Sequence, residues 1–171
     1  MMRRPVWKDL RRGTSGGVAS LLELGANHGL PPSDCLRGSG LRLDDLRRKA
    51  TPVMAEQELT VIGNLVRLLG DRPGLGVEAG RLVNLGNLGI FVFALLSSPT
   101  LADALSVATR FANLTNTYAD LSLMHDDARL RLVCGFDDLD TEVRAFVIER
   151  DLTVVAGLVP MVLGDAVTRC R

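Results

Sequence analysis

Apolar residues along this chain keep a helical period for most of its length and switch to alternation once, near the middle of the second half. The clearest helical stretch is Ala55–Leu69. There Leu59, Ile62, Val66 and Leu69 line one face with Leu65 beside them, while Glu56, Glu58, Asn64 and Arg67 are polar. That pattern predicts an amphipathic helix. Its ends fit too, with acids in the first turn, Arg67 in the last and Gly70 as a cap. Upstream, Val18, Leu21, Leu22 and Ala26 predict a helix over Val18–Asn27 that stops at Gly29. A short proline-opened helix is expected through Leu36, and an amphipathic turn or helix over Leu41–Lys49. Thr51-Pro52-Val53 should be extended, because a residue before proline avoids the helical region. Leu75–Leu82 is a short helix whose small residues Gly76, Ala79 and Gly80 allow another element to come close.

The most apolar run is Ile90–Leu96, inside the stretch Leu85–Leu105. It is too short to span a bilayer, so it is expected as a buried helix around which the rest packs. Ser97-Ser98-Pro99-Thr100 ends it, and Thr100 with Asp103 fits a capping box that starts the next helix, Leu101–Asn116. Leu101, Leu105, Ala108, Phe111 and Ala112 are its inward positions. The period then becomes two. Leu121, Leu123, Leu130 and Leu132 alternate with polar residues in Tyr118–Met124 and Arg129–Gly135, predicting a β-hairpin. The separating His125-Asp126-Asp127-Ala128 is longer than a two-residue turn. Asp140–Leu163 reads as a long closing helix that Pro160 should kink or end. The sum is an α+β domain, predominantly helical, with a small antiparallel hairpin packed on the helices. Residues 1–17 are expected as a flexible basic arm, 18–165 as the domain and 166–171 as a tail.

Composition narrows the function. With aromatics at 4%, the core must be aliphatic. Twenty basic and 20 acidic residues balance, which excludes a self-contained nucleic-acid binder relying on excess positive charge. Three cysteines, Cys35, Cys134 and Cys170, form no framework and point to a reducing, cytoplasmic setting. The N-terminal MMRRPVWKDLRR lacks the apolar segment of a secretory signal. His28 sits at a helix end; His125, beside Asp126 and Asp127, has no further ligand at metal-binding spacing. Asp137, Asp138, Asp140 and Glu142 precede a helix, where acids belong electrostatically. The glycines lack the lysine and the strand–loop–helix frame of a phosphate loop. A helix-turn-helix across Asp44–Leu69 fails on its extended connection and acid-led second helix. No catalytic residue, metal site or cofactor is expected.

The order of elements resembles the N-terminal sensor domain of AraC-type transcription regulators. The similarity is to the mostly helical, arabinose-binding-like branch found in ornithine-utilisation and mycobacterial virulence regulators, not to the cupin-barrel sensor. Gly86-Asn87-Leu88-Gly89 entering the apolar helix carries it, with Leu96-Ser97-Ser98-Pro99-Thr100-Leu101 and Ala104-Leu105. Asp71…Leu75-Gly76…Ala79-Gly80 before and Leu130-Arg131-Leu132 after support it. The resemblance implies a small-molecule effector, a homodimer, and DNA contact only through a C-terminal helix-turn-helix domain absent from this chain. No membrane is involved. The chain thus reads as a sensor domain shortened on its C-terminal side. Phe91, Phe93, Phe111 and Tyr118 are the candidate lining of an apolar effector pocket, with Arg110, Asn113 or Asn116 orienting a polar head. Alternatives are a ligand-free dimerisation module and, more remotely, a small enzyme.

Overall fold

In the computed structural model, which describes residues 11–12, 16–47, 52–70, 72–83, 88, 90–126 and 129–163, the central element is helix α4 (Ala55–Leu69). Its Val61, Ile62 and Leu65 are fully buried. Helix α1 (Gly16–Asn27) and the long helix α8 (Thr141–Leu163) both pack on it, and helix α5 (Leu75–Leu82) lies along α8. The short helices α2 (Pro32–Cys35) and α3 (Leu43–Arg47) close one end. Val18, Leu21 and Leu24, Leu75 and Ala79, and Val143, Phe146 and Val147 complete an aliphatic core around α4. Cys35 is buried in it, and burial pushes its thiol pKa up, as it does for half-buried Cys134; both behave as small hydrophobes. His28 at the end of α1 meets Glu78 of α5 at 2.8 Å.

The ends of α4 follow from local chemistry. Gln57 accepts a hydrogen bond from the Met54 amide at 3.0 Å, and Gly70 leaves the helix at φ 80°, a conformation in which glycine carries no Cβ penalty. The extended Val53–Met54 forms strand β2, pairing antiparallel with strand β1 (Arg11–Arg12) in the register Arg11↔Met54. Part of the expected basic arm therefore contributes to the fold: Arg11–Arg12 complete a two-stranded ladder, and α1 begins at Gly16. Residues 1–10 and 13–15, with the expected tail, Cys170 and residues 84–87 and 89, lie outside the described residues.

The small residues of α5 do allow close approach. A Cβ on Gly76 would strike the Phe146 carbonyl, and one on Gly80 would lie 2.6 Å from Thr153 Cβ and 2.8 Å from the Arg150 carbonyl. The two helices touch backbone to backbone.

The apolar run is a different matter. Ile90–Leu96 is helix α6 and pairs with helix α7 (Leu101–Phe111), whose start is capped by Thr100 Oγ1 accepting from the Asp103 amide at 3.1 Å. Yet α6 is not the centre of the core. Phe91, Leu95 and Ala104 form a second, smaller cluster with Leu88, Val107, Ala108, Leu158 and Val162. Ile90 is 79% exposed and Phe93 71%. The run is apolar all round, but α7 and the end of α8 cover only one side of it.

Helix α7 gives way to a 3₁₀ turn at Ala112–Leu114, earlier than expected. Strands β3 (Asp120–Asp126) and β4 (Arg129–Gly135) form the expected hairpin, with Leu123↔Leu132 and Leu121↔Cys134 paired on one face. Asp126↔Arg129 also pair, so only positions 127 and 128 separate the strands and His125 is a strand residue rather than a loop residue. Helix α8 continues through Pro160 to Leu163. No helix among the described residues is long and apolar enough to cross a membrane.

Candidate functional site: a cavity with one charged end

Between the two clusters lies a cavity of about 140 Å³. Phe91 and Leu95 of α6, Leu101, Ala104, Leu105 and Ala108 of α7, and Leu121 and Leu132 of the hairpin line it. The opposite wall is α8. Arg150, Val154, Leu158 and Val162 recur at four-residue steps along that helix, and Asp151, Val155 and Val159 form a parallel row. Residues four apart share a helix face. One helix thus supplies a charged end and an apolar flank to the same cavity.

The charged end is built around Arg150. Its Nη1 donates to Glu58 Oε1 at 2.8 Å, its Nε to Asp151 Oδ1 at 2.9 Å and its Nη2 to the Asn116 carbonyl at 3.1 Å. Nη2 also lies 2.8 Å from Asp151 Oδ1. The other Asp151 oxygen accepts from Thr117 Oγ1 at 2.8 Å and from the Tyr118 amide at 2.9 Å. Tyr118 is buried behind the cluster; its hydroxyl donates to the Ala55 carbonyl at 3.1 Å, and Arg150 lies 5.3 Å from its ring centroid. Burial alone would lower the Arg150 pKa, but Asp151 and Glu58 more than reverse that, so the guanidinium stays charged. Gly17 of α1 makes room: a Cβ there would lie 2.9 Å from both Glu58 Oε1 and Asn116 Nδ2.

Of the residues anticipated for a pocket, Phe91 and Asn116 line this cavity, and Tyr118 supports its charged end. Phe93 is exposed on the far side of α6. Phe111 and Arg110 are exposed as well, with the Arg110 guanidinium 5.3 Å from the Phe111 ring centroid and neither of them on the cavity wall. The Asn113 side chain lies outside the described residues. Glu58, Arg150 and Asp151 were not anticipated. The available signal was the row of residues four apart along α8 that begins at Arg150. Among the described residues, no three His, Cys, Asp or Glu side chains converge as metal ligands would.

The chain is thus a helical domain with a small hairpin and a partly open, mostly apolar cavity, and comparison of sequences places it in a family. The chain belongs to the family of N-terminal arabinose-binding domains of AraC transcription regulators, whose model matches residues 29–169. That is a family of transcription-regulator domains, not of enzymes. The chain is 33% identical over 141 residues, 81% of its length, to an uncharacterised HTH-type transcriptional regulator of Mycobacterium tuberculosis. It is equally similar to one of Mycobacterium bovis. It spans 40% of the length of each of these relatives. No solved structure matches.

Proposed function

We propose that this chain is the effector-sensing part of an AraC-type regulator and that its effector enters the cavity between α6–α7 and α8. The observation that carries this reading is the position of the cavity, whose walls belong to two separate hydrophobic clusters. An occupant there gains contacts with both, so binding favours conformers in which α6–α7 are docked on α8. The regulator's DNA contact comes from a helix-turn-helix domain of the kind its relatives' names record, the setting is cytoplasmic, and this domain catalyses no reaction.

The family description names arabinose. A pentose needs hydrogen-bond partners around its whole ring, whereas this lining is dominated by Leu, Val, Ala and Phe, with polar groups in the minority. The effector is therefore mainly aliphatic. A homodimer belongs to the same reading: Ile90, Phe93 and Leu96 form an exposed apolar face on the helix that also walls the cavity. Occupancy and association would then be coupled through α6.

The test is Leu158→Trp, which fills the cavity from the α8 side. Thermal-shift screening of the 171-residue chain against small aliphatic compounds should find binders that raise the midpoint by mass action, and this variant should lose the response. A variant that folds and responds like the parent would sink the proposal.

A further inference from the structure

The cavity also specifies the head group of its ligand, an inference that rests on the sensing role just proposed. Its polar end offers one guanidinium, and that guanidinium is committed: Nη1 to Glu58, Nε to Asp151 and Nη2 to Asp151 and the Asn116 carbonyl. Two carboxylates therefore face one cation among the described residues of this end, and both acids are among the lining residues. An incoming carboxylate would add a third anion beside the pair and would compete with them for Arg150. A donor head group meets no such opposition. The Asn116 side-chain amide, half-buried on the lining, has no hydrogen-bond partner among the described residues, although its own backbone carbonyl is taken by Arg150. Its carbonyl oxygen can accept from a ligand O–H or N–H. Size limits the rest. A dry apolar cavity of about 150 Å³ accommodates benzene, so the space of about 140 Å³ here, open on one side, matches a body of about six carbons.

We infer that this cavity takes a short aliphatic amine or alcohol, its hydrogen-bond donor set against Asn116 and the Glu58–Arg150–Asp151 cluster, and that it rejects the corresponding carboxylate. The ligand's body lies along Val154, Leu158 and Phe91.

The experiment is calorimetric titration and thermal shift of the full 171-residue chain at neutral pH with hexylamine, 1-hexanol, sodium hexanoate and the plain hydrocarbon cyclohexane. Hexylamine and hexanol are expected to bind, separating the charged from the neutral donor, with hexanoate at least tenfold weaker. Asn116→Leu should weaken both donors by about tenfold, the loss of one hydrogen bond, while cyclohexane binding and the protein's own melting midpoint stay unchanged. Hexanoate binding as tightly as hexylamine overturns the inference, and so does an Asn116→Leu variant with undiminished affinity for both donors. Cyclohexane binding alone also overturns it, leaving the sensing role standing. If none of the four binds, both the head-group inference and the sensing role fail.

Discussion

Replacing Arg150 with methionine should cost this fold about as much as any single change can. Methionine keeps an unbranched apolar stem and removes only the guanidinium. In the parent, the side chains of Arg150, Glu58 and Asp151 are 5%, 2% and 5% exposed, so solvent screens the remaining charges poorly once the guanidinium is gone. Asp151 would keep its bonds from Thr117 and Tyr118, but Glu58 would lose the 2.8 Å bond from Nη1. Removing one partner of a buried pair costs about 3–5 kcal/mol, because a charge is left buried without its counter-ion. A domain of this size has about 5–15 kcal/mol in total, so the variant approaches the unfolding threshold. Glu58→Gln keeps an acceptor for Nη1 and should cost about 1–2 kcal/mol. In the double variant no carboxylate remains at position 58, and the combined loss should fall short of the sum by about 1.5–3 kcal/mol. Urea denaturation of the four proteins, with equal m values as a check on two-state behaviour, reads this coupling directly. Losses that add to within about 0.5 kcal/mol would refute the charge-burial argument.

Two further predictions concern packing. Gly76→Ala and Gly80→Ala each gain about 1 kcal/mol of helix propensity, but the added Cβ meets the α8 backbone rather than a flexible side-chain end. Overpacking of about 1–3 kcal/mol should prevail and lower the melting midpoint by a few degrees; a higher midpoint for either variant would contradict the close seam. Phe91→Ala should cost about 3–5 kcal/mol, whereas Phe93→Ser, two residues along the same helix, should stay within about 0.5 kcal/mol and shift sedimentation toward monomer. Equal costs for the two would mean that α6 is buried on both sides.

The elements were legible where the chain carries its own signals. Helices α4 and α5 have the anticipated limits because Gly70, the turn before Leu75 and the charges at their ends act locally. Thr100 and Asp103 cap α7 as their spacing implies. The hairpin loop is shorter than expected: His125 and Asp126 have turn-like polarity, yet the ladder pairs continue through both positions. The exposure of α6 could not be read at all: an apolar run states what a helix would bury, not whether neighbours exist to cover it. The charged end was hidden for another reason. Glu58 and Arg150 are 92 residues apart, and Glu58 in the first turn of a helix looks like an acid placed for the dipole. Only the packing of α4 on α8 turns it into a buried partner. Of the four aromatic residues expected to line a pocket, only Phe91 reaches the wall of this cavity.

The glycine seam gives α8 unequal halves in a mechanical sense. Up to Thr153, α5 lies against its backbone, so that half can neither roll nor slide without a clash. Beyond Thr153 the helix loses that backbone seam; it is touched by α6 and α7 and carries Gly157 and Pro160 within its continuous turns. Any load placed on the cavity by an occupant would therefore fall on the half of α8 that has side-chain contacts alone to resist it, and not on the half held by the seam.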